Sequence, residues 1–504
     1  MMKLVYGWLV LGLLYRSALG VPRPDFGIDG DIAGSAKVQT VAGDAGANFD
    51  QIDLKTISLE THYTRLFNLE TDLTTIGGQI ATTGKDLTDR LEALAISNGP
   101  MPNDFTAASG ALDSLRTLLQ SGLATQTDSI ETMVGTYITD MLTDATEDLL
   151  GTLNRLETEL GRLQTGIVNA IAAYDSPTVP AVFIRRYVSP KVIYELLRAL
   201  HDLQSQLPLV TYIIELTLGH LESADIYLAS VMERATATVY EVLRHYGAFK
   251  TEIINAAFIV SDSIATPIRL TYSAQINDLA FAMPDLEELD AYDTVLEPVL
   301  TAYEEALGIT NRDIIALSAE TTFTTYLQGV VSLDDYLDRF YDEKLCTPMQ
   351  SVMQVLIASG PWADYCFSKY SPRLTELLAV NSNRFLMCYE IEADRLQRLY
   401  ELVERLVKQL LFDVENLAED VLSCHYRQER GSDCIALIGP YYLELGQLLV
   451  DKQTDLTNII DYETKASFNR MAACVNGGKC GFIASAEDVV AEIQACELAG
   501  PLAV

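Results

Sequence analysis

The chain has 504 residues, with 70 Asp and Glu against 35 Lys and Arg, a formal charge of -35. Neutralising phosphates requires a clustered Lys/Arg surface, so two acidic side chains for each basic one make nucleic acid and anionic membranes poor candidates as partners and leave basic or multivalent-cation partners open. With 49% hydrophobic and 21% charged residues, the chain is too apolar for global disorder and long enough for two to four domains.

Residues 1–20 read as a signal peptide, with Lys3 as the basic start, Leu4 to Tyr15 as the apolar stretch and Ala18-Leu19-Gly20 as a small-x-small cleavage site. That apolar stretch is shorter than the roughly 20 residues a membrane span requires. Removing Lys3 and Arg16 takes the charge from -35 to -37. No later run reads as a membrane span, and Pro501 to Val504 carries no lipidation signal. No Asn is followed by x-Ser or x-Thr, so N-glycosylation is not expected. The expected product is secreted and extracellular, kept soluble by its charge.

Residues 21–50, rich in Gly, Ala and Asp without an apolar period, read as a flexible arm. Within it Asp25, Asp29 and Asp31 resemble part of a calcium loop but lack the closing bidentate Glu, so at most weak, nonspecific calcium affinity is expected there and no metal site is assigned. Residues 51–176 read as an N-terminal helical region with a turn at Asn98-Gly99-Pro100. Its clearest helix follows the seam Leu149, Leu153, Leu156, Leu160, Leu163 and Ile167, spaced alternately by four and three. Gly78 to Lys85 has one residue too many for a phosphate loop and reads as a flexible helix interruption.

Three prolines mark 177–190 as a linker, and 191–345 reads as a central helical region. In it Leu207–Leu218 and Ile253–Ile264 are apolar enough either to form buried core or to line a cavity between helices. Residues 346–504 form a cysteine-rich helical domain. Its seam runs through Leu396, Leu399, Val403, Leu406 and Leu410, then resumes one position late at Val414, Leu417, Val421 and Cys424. That slip predicts a local break in the heptad.

All eight cysteines lie after residue 345, as expected of a disulfide-stapled module in an oxidising compartment. Gln428 to Asp433 reads as the turn of an antiparallel helical hairpin, across which facing positions have numbers with a constant total. Cys424 and Cys434 total 858, Cys388 and Cys474 total 862, and Cys366 and Cys496 total 862. These pairs form a nested ladder. The rival scheme joins Cys366 to Cys388 and Cys474 to Cys496, each separated by 22 positions. Cys346 and Cys480 remain and pair by elimination, with Val475–Gly481 expected to be a loop able to reach outward.

The stretch from Cys366-Phe-Ser-Lys-Tyr-Ser-Pro-Arg-Leu through Cys388, Cys424, Asp433-Cys434, Cys474 and Cys496 resembles the TsetseEP domain of secreted insect proteins. The resemblance covers about 130 of the 504 residues and departs from the namesake in lacking acidic Glu-Pro repeats and in having Cys480. It implies a secreted insect protein with a gut or immune association and no defined catalytic activity.

Catalytic signatures are missing from the sequence. His62, His201, His220, His245 and His425 are scattered, without a zinc spacing, and His425 reads as a helix-end residue. No Gly-x-Ser-x-Gly elbow occurs. Carboxylate pairs such as Glu287 and Glu288, or Glu304 and Glu305, read as solvated helix faces. No catalytic, cofactor or metal residue is therefore assigned. The expected fold is all-α, an elongated multi-helix bundle with a stapled C-terminal hairpin. The expected function is that of a secreted, non-enzymatic, acidic interaction protein whose partner is an extracellular protein or surface ligand; the alternative is a carrier of lipids or small apolar ligands. Oligomeric state is not legible.

Overall fold

A computed structural model describes residues 25–174 and 178–501, so the expected leader at 1–20 lies outside the described residues. The fold is all-α. Among the described residues, extended pairing is confined to two isolated bridges, Asp25 with Ile28 and Asp29 with Thr178. In chain order the helices are α1 (Ser35–Gln51), α2 (Thr64–Ala95), α3 (Met101–Thr117), α4 (Ala124–Val134), α5 (Tyr137–Tyr174), α6 (Ala181–Tyr187) and α7 (Pro190–Ala280). There follow α8 (Met283–Leu286), α9 (Glu297–Leu307), α10 (Ile309–Lys344), α11 (Cys346–Ile357), α12 (Ala363–Phe412), α13 (Leu417–His425) and α14 (Gly431–Ala499). Pro100, Pro180 and Pro190 stand at helix starts, where a missing N–H costs nothing. Pro372 and Pro440 lie inside α12 and α14, so proline punctuates the chain only in part.

The chain divides into two compact units. Unit 1 comprises the described residues of Met1–Ser230, Gln350–Ser371 and Ala491–Val504, and unit 2 comprises Val231–Met349 and Pro372–Val490. These boundaries fall within long helices and not at the expected linker, because compactness follows which distant segments pack together. Within the expected linker, Ala181–Tyr187 form the short helix α6, with Ile184 buried.

In unit 1 the α5 seam is buried along its whole length, from Leu149 to Ile167. The expected flexible arm is a packed element. Val38, Ala42, Ala45 and Phe49 of α1 are buried at spacings of four, three and four, and Phe26, Ile28 and Ile32 are buried ahead of it. Alanine carries half of this period, which leaves it faint in the sequence. Two of the calcium-like aspartates hold the chain locally: Asp25 Oδ2 accepts the Ile32 N–H at 2.7 Å, and Asp29 Oδ2 accepts the Thr178 hydroxyl at 3.0 Å.

The expected interruption at Gly78–Lys85 is continuous helix, part of α2. Its glycine has a packing reason, since a Cβ at Gly84 would overlap the Phe49 ring. A Gly84→Ala substitution sets a helix-propensity gain of about 1 kcal/mol against an overpacking cost of about 1–3 kcal/mol. The overlap involves a fully buried ring, so overpacking wins. Urea unfolding at neutral pH should show a net loss of stability; an unchanged or raised midpoint would mean that Phe49 does not sit on α2.

A buried carboxylate fixes the α1–α2 connection. Asp225 of α7 accepts the N–H groups of Glu60 at 2.6 Å and Thr61 at 3.2 Å, and also the Thr61 hydroxyl. These three donors stand in for the water that burial removes from the carboxylate.

In unit 2 the seam slip is a real discontinuity: α12 ends at Phe412, residues 413–416 form turns, and α13 begins at Leu417. The ends freed by the break find partners. The Asp413 carbonyl accepts the buried Tyr303 hydroxyl at 3.1 Å, and the Ala418 N–H donates to Gln275 Oε1 at 2.9 Å. Leu396, Leu399, Val403, Leu410, Val414, Leu417, Val421 and Cys424 are buried, while Val407 takes the inward place beside a half-buried Leu406. After α9, Gly308 separates it from α10, and Asn311 and Gln453 both donate to the Ala306 carbonyl at 2.9 Å.

The heart of unit 2 is a charged network. Glu392 of α12, nearly fully buried, accepts the Ser467 hydroxyl at 2.8 Å and Arg470 Nε at 3.1 Å, both from α14, and also Arg395. A carboxylate only accepts, so Ser467 donates to Glu392 and the Tyr326 hydroxyl, 2.9 Å away, must donate to Ser467. Burial, with the Glu392 charge nearby, pushes the Tyr326 phenol up to about 12 despite the opposing bond from Ser467, so it stays a neutral donor.

Candidate functional site

The assigned residues are the cysteines. In unit 1, Cys366 of α12 is bridged to Cys496 of α14 with Cα atoms 5.9 Å apart. In unit 2, Cys388 is bridged to Cys474 at 6.0 Å and Cys424 to Cys434 at 5.3 Å. The rival scheme within each helix is not the one formed. The fourth bridge is not formed either, because Cys480 keeps a free, exposed thiol, and Cys346 is likewise exposed. The expected loop at Val475–Gly481 is continuous α14, and its Gly478 admits the Phe385 ring. Six positions along an α-helix turn Cys480 through about 600°, away from the bridging face of Cys474. A rigid helix cannot reach outward as a loop would. Three intramolecular disulfides fit an oxidising compartment.

Unit 1 also contains a Ser, His and Asp in succession, which sequence reading missed. His220 Nδ1 lies 2.8 Å from Ser359 Oγ, and His220 Nε2 lies 3.1 Å from Asp364 Oδ1 without the alignment of a hydrogen bond. In a nucleophilic triad the serine addresses Nε2 and the carboxylate Nδ1, the reverse of this order. Ser359 is also only 3% exposed, which bars a substrate carbonyl. Its left-handed backbone, φ 55°, closes the end of α11, and its N–H donates to the Leu356 carbonyl at 3.0 Å. The arrangement is a latch on a helix end. The other histidines are dispersed: His425 ends α13, 3.5 Å from Asp285, and His201 faces Gln204. Among the described residues no group of His, Cys, Asp and Glu is arranged to hold a metal.

A groove in unit 2 lies between α7 and α12. It has a volume of about 500 Å³ and runs along Phe249 to Ser263 on one side and Ala393 to Glu404 on the other. Its base is apolar, from residues such as Ile253, Val260, Leu396 and Val403. Its rim is acidic, with Glu252, Asp394, Glu401 and Glu404, and no Lys, Arg or His lines it. The Tyr400 phenol beside it is held above its ordinary range by burial, with Tyr326 and Glu252 nearby, and stays neutral. Glu404 sits below the ordinary carboxylate range through its hydrogen bond with Lys408.

One of the groove's lining residues, Ile259 of α7, is 55% exposed, while Ile254 at 49% and Phe258 at 73% are exposed on α7 outside the lining. Such neighbouring exposure on one helix is unusual, since outward positions are normally polar. Of the two apolar stretches singled out in the sequence, Leu207–Leu218 supplies core to unit 1, with Leu207, Val210, Ile213, Ile214 and Leu218 buried, and Ile253–Ile264 lines the groove. By length and composition α7 is also apolar enough to cross a membrane, over a window of mean hydropathy 1.3 that is one-third buried. It is the one such helix among the described residues and no clear transmembrane segment, since an alternation of core and outward apolar residues raises hydropathy as a continuous span does.

No protein-family profile, curated protein or solved structure matches this chain.

Proposed function

We propose that the chain is a secreted, non-enzymatic, acidic helical interaction protein whose binding surface is the α7–α12 groove of unit 2. The observation that carries this reading is the groove itself, an apolar base under an acidic rim with the exposed Ile259 in its lining. Exposed apolar area next to a cleft is costly in water and marks recognition surfaces. Three bridges, the leader-like residues 1–20 and the TsetseEP-like cysteine pattern support export and, by resemblance, a gut or immune setting in an insect.

The test uses the purified full chain and the neutral apolar dye Nile red. Dye fluorescence should be enhanced by the native protein, and Ile259→Glu should reduce the enhancement at least about fivefold while leaving the far-ultraviolet circular dichroism unchanged. An enhancement indifferent to Ile259→Glu would remove the groove as the binding surface. A reproducible hydrolase activity abolished by one point substitution would remove the non-enzymatic reading.

The second reading, a carrier of lipids or small apolar ligands, is favoured by the placement of Ile253–Ile264 along the cavity. Solvent extraction and mass spectrometry of the secreted protein decide it: a stoichiometric lipid supports carriage, and its absence after secretory expression counts against it.

A further inference from the structure

Resting on the groove as binding surface, we propose that its occupant is a cationic amphipathic helix of a partner protein, an apolar stripe of about four turns flanked by Lys or Arg. Length sets the first constraint. From Phe249 to Ser263 the α7 lining covers 14 residue steps, about 20 Å of helix at 1.5 Å per residue. Two helices lying side by side offer a third the ridges and grooves that helix packing uses, with axes about 8–10 Å apart. An apolar stripe at i, i+3, i+4 and i+7 would cover Ile259 and reach the base at Val260 and Val403.

Charge sets the second constraint. Four carboxylates line the groove and no cation does. Glu401 and Glu404 have Arg405 and Lys408 one turn away, at 3.8 and 2.7 Å. Glu252 and Asp394 are exposed and have no ion-pair partner among the described residues. Two uncompensated carboxylates on opposite walls beside an apolar base are complementary to a helix with basic residues along both edges of its apolar face. Apolar contact would supply the affinity, and the rim would supply rate and selectivity.

The same charges disfavour the other occupants. A second copy would bring a formal charge of -35 to an acidic groove. An anionic lipid headgroup would be repelled, and an uncharged acyl chain would leave Glu252 and Asp394 unanswered.

The experiment titrates the full-length protein into a fluorescein-labelled 18-residue Leu/Lys peptide with leucines at i, i+3, i+4 and i+7, read by anisotropy at low and physiological salt. Comparison probes are the scrambled peptide, the Leu/Glu counterpart and phosphatidylcholine vesicles. The expected result is saturable binding of the amphipathic Leu/Lys peptide, at least about tenfold tighter than the scrambled one, with none of the Leu/Glu peptide. Glu252→Lys combined with Asp394→Lys should weaken it at least about tenfold and flatten its salt dependence, and Ile259→Ser should weaken it comparably. A control reversal of the exposed pair Asp128→Lys and Glu131→Lys on α4 should change it less than about twofold. Equal losses from the groove and control reversals would overturn the proposal, as they mean general attraction to an acidic surface. Vesicle binding abolished by Ile259→Ser, without peptide binding, would overturn it in favour of a lipid surface. If the peptide fails while Nile red still depends on Ile259, the ligand class falls and the groove reading stands; if both fail, both fall.

Discussion

Replacing Cys366 and Cys496 together by alanine should lower the stability of unit 1 by about 4 kcal/mol. The two cysteines are 130 residues apart, but Cys388 and Cys474, 86 apart, are already tied inside that loop. The chain left for the outer bridge to close is therefore the difference, 44 residues, which the chain-entropy estimate converts to about 4 kcal/mol. Without the inner bridge the same estimate would approach 5 kcal/mol. The 10-residue loop of Cys424 and Cys434 is worth less, about 2.7 kcal/mol on the same basis.

The protein supplies its own reporter for this measurement. Of its two tryptophans, Trp8 lies in the expected leader and Trp362 lies in unit 1, four residues before Cys366 and against the backbone of Gly500. Urea unfolding followed by Trp362 fluorescence under nonreducing conditions should show the midpoint falling in the double variant, with the slope steeper if the unfolded chain expands. A loss below about 1 kcal/mol would mean that packing alone holds Cys366 and Cys496 together. Nonreducing peptide mapping of the secreted protein should return Cys366 linked with Cys496, Cys388 with Cys474 and Cys424 with Cys434, and a free thiol at Cys480.

Glu392→Gln should be the most damaging single substitution in unit 2, costing about 3 kcal/mol. Removing one member of a buried ionic cluster costs about 3–5 kcal/mol, because the charges left behind lose their partner. The low end applies because Arg395 and Arg470 are only partly buried, at 48% and 35% exposed, and can recover some hydration. Glutamine also points an N–H₂ at cations and at the Ser467 hydroxyl, interrupting the order that runs from Tyr326 through Ser467 to the carboxylate.

The pH dependence of this loss has a defined sign. Burial alone would raise the Glu392 pKa, but the hydrogen bonds from Arg470, Ser467 and Arg395 and the Arg470 charge outweigh it, and the carboxyl titrates below its ordinary value of 4.5. Its contribution is therefore fully present above pH 4.5 and is lost as pH falls through the lower folded value. The stability difference between native protein and the Glu392→Gln variant should be constant from pH 7 to about 5 and shrink below that. A difference that stays constant down to pH 3 would show that the charge of Glu392 is not what the network uses.

Much of the candidate site was legible in residue spacing. Ile253–Ile264 stood out as an apolar stretch able to line a cavity, and it lines the groove. Its acidic rim was not legible, since in a chain with 70 acidic residues Glu252 and Asp394 look like any others until α7 and α12 lie side by side. The same holds for Asp225 and Glu392, whose interiors are assembled from partners 164 and 75 residues away. His220 and Ser359 meet across 139 residues with no motif to announce them.

By itself the sequence determined what depends on local periodicity and on register. The leucine seam of α5, the heptad slip that breaks α12 from α13, and the position totals that match the bridges of the hairpin are all properties of a helix's own repeat. Tertiary structure decided what depends on burial and on distant neighbours. Residues 35–51 are helical because Phe49 and small residues of α1 pack on α2 at Gly84. Val475–Gly481 stays helical because Phe385 fills the space a loop would need, and this leaves Cys480 facing solvent. Glycine lowers helix propensity by only about 1 kcal/mol, less than a buried aromatic ring gains from the close approach that glycine permits, roughly 1.5–3 kcal/mol, so packing overrode the local signal at both places.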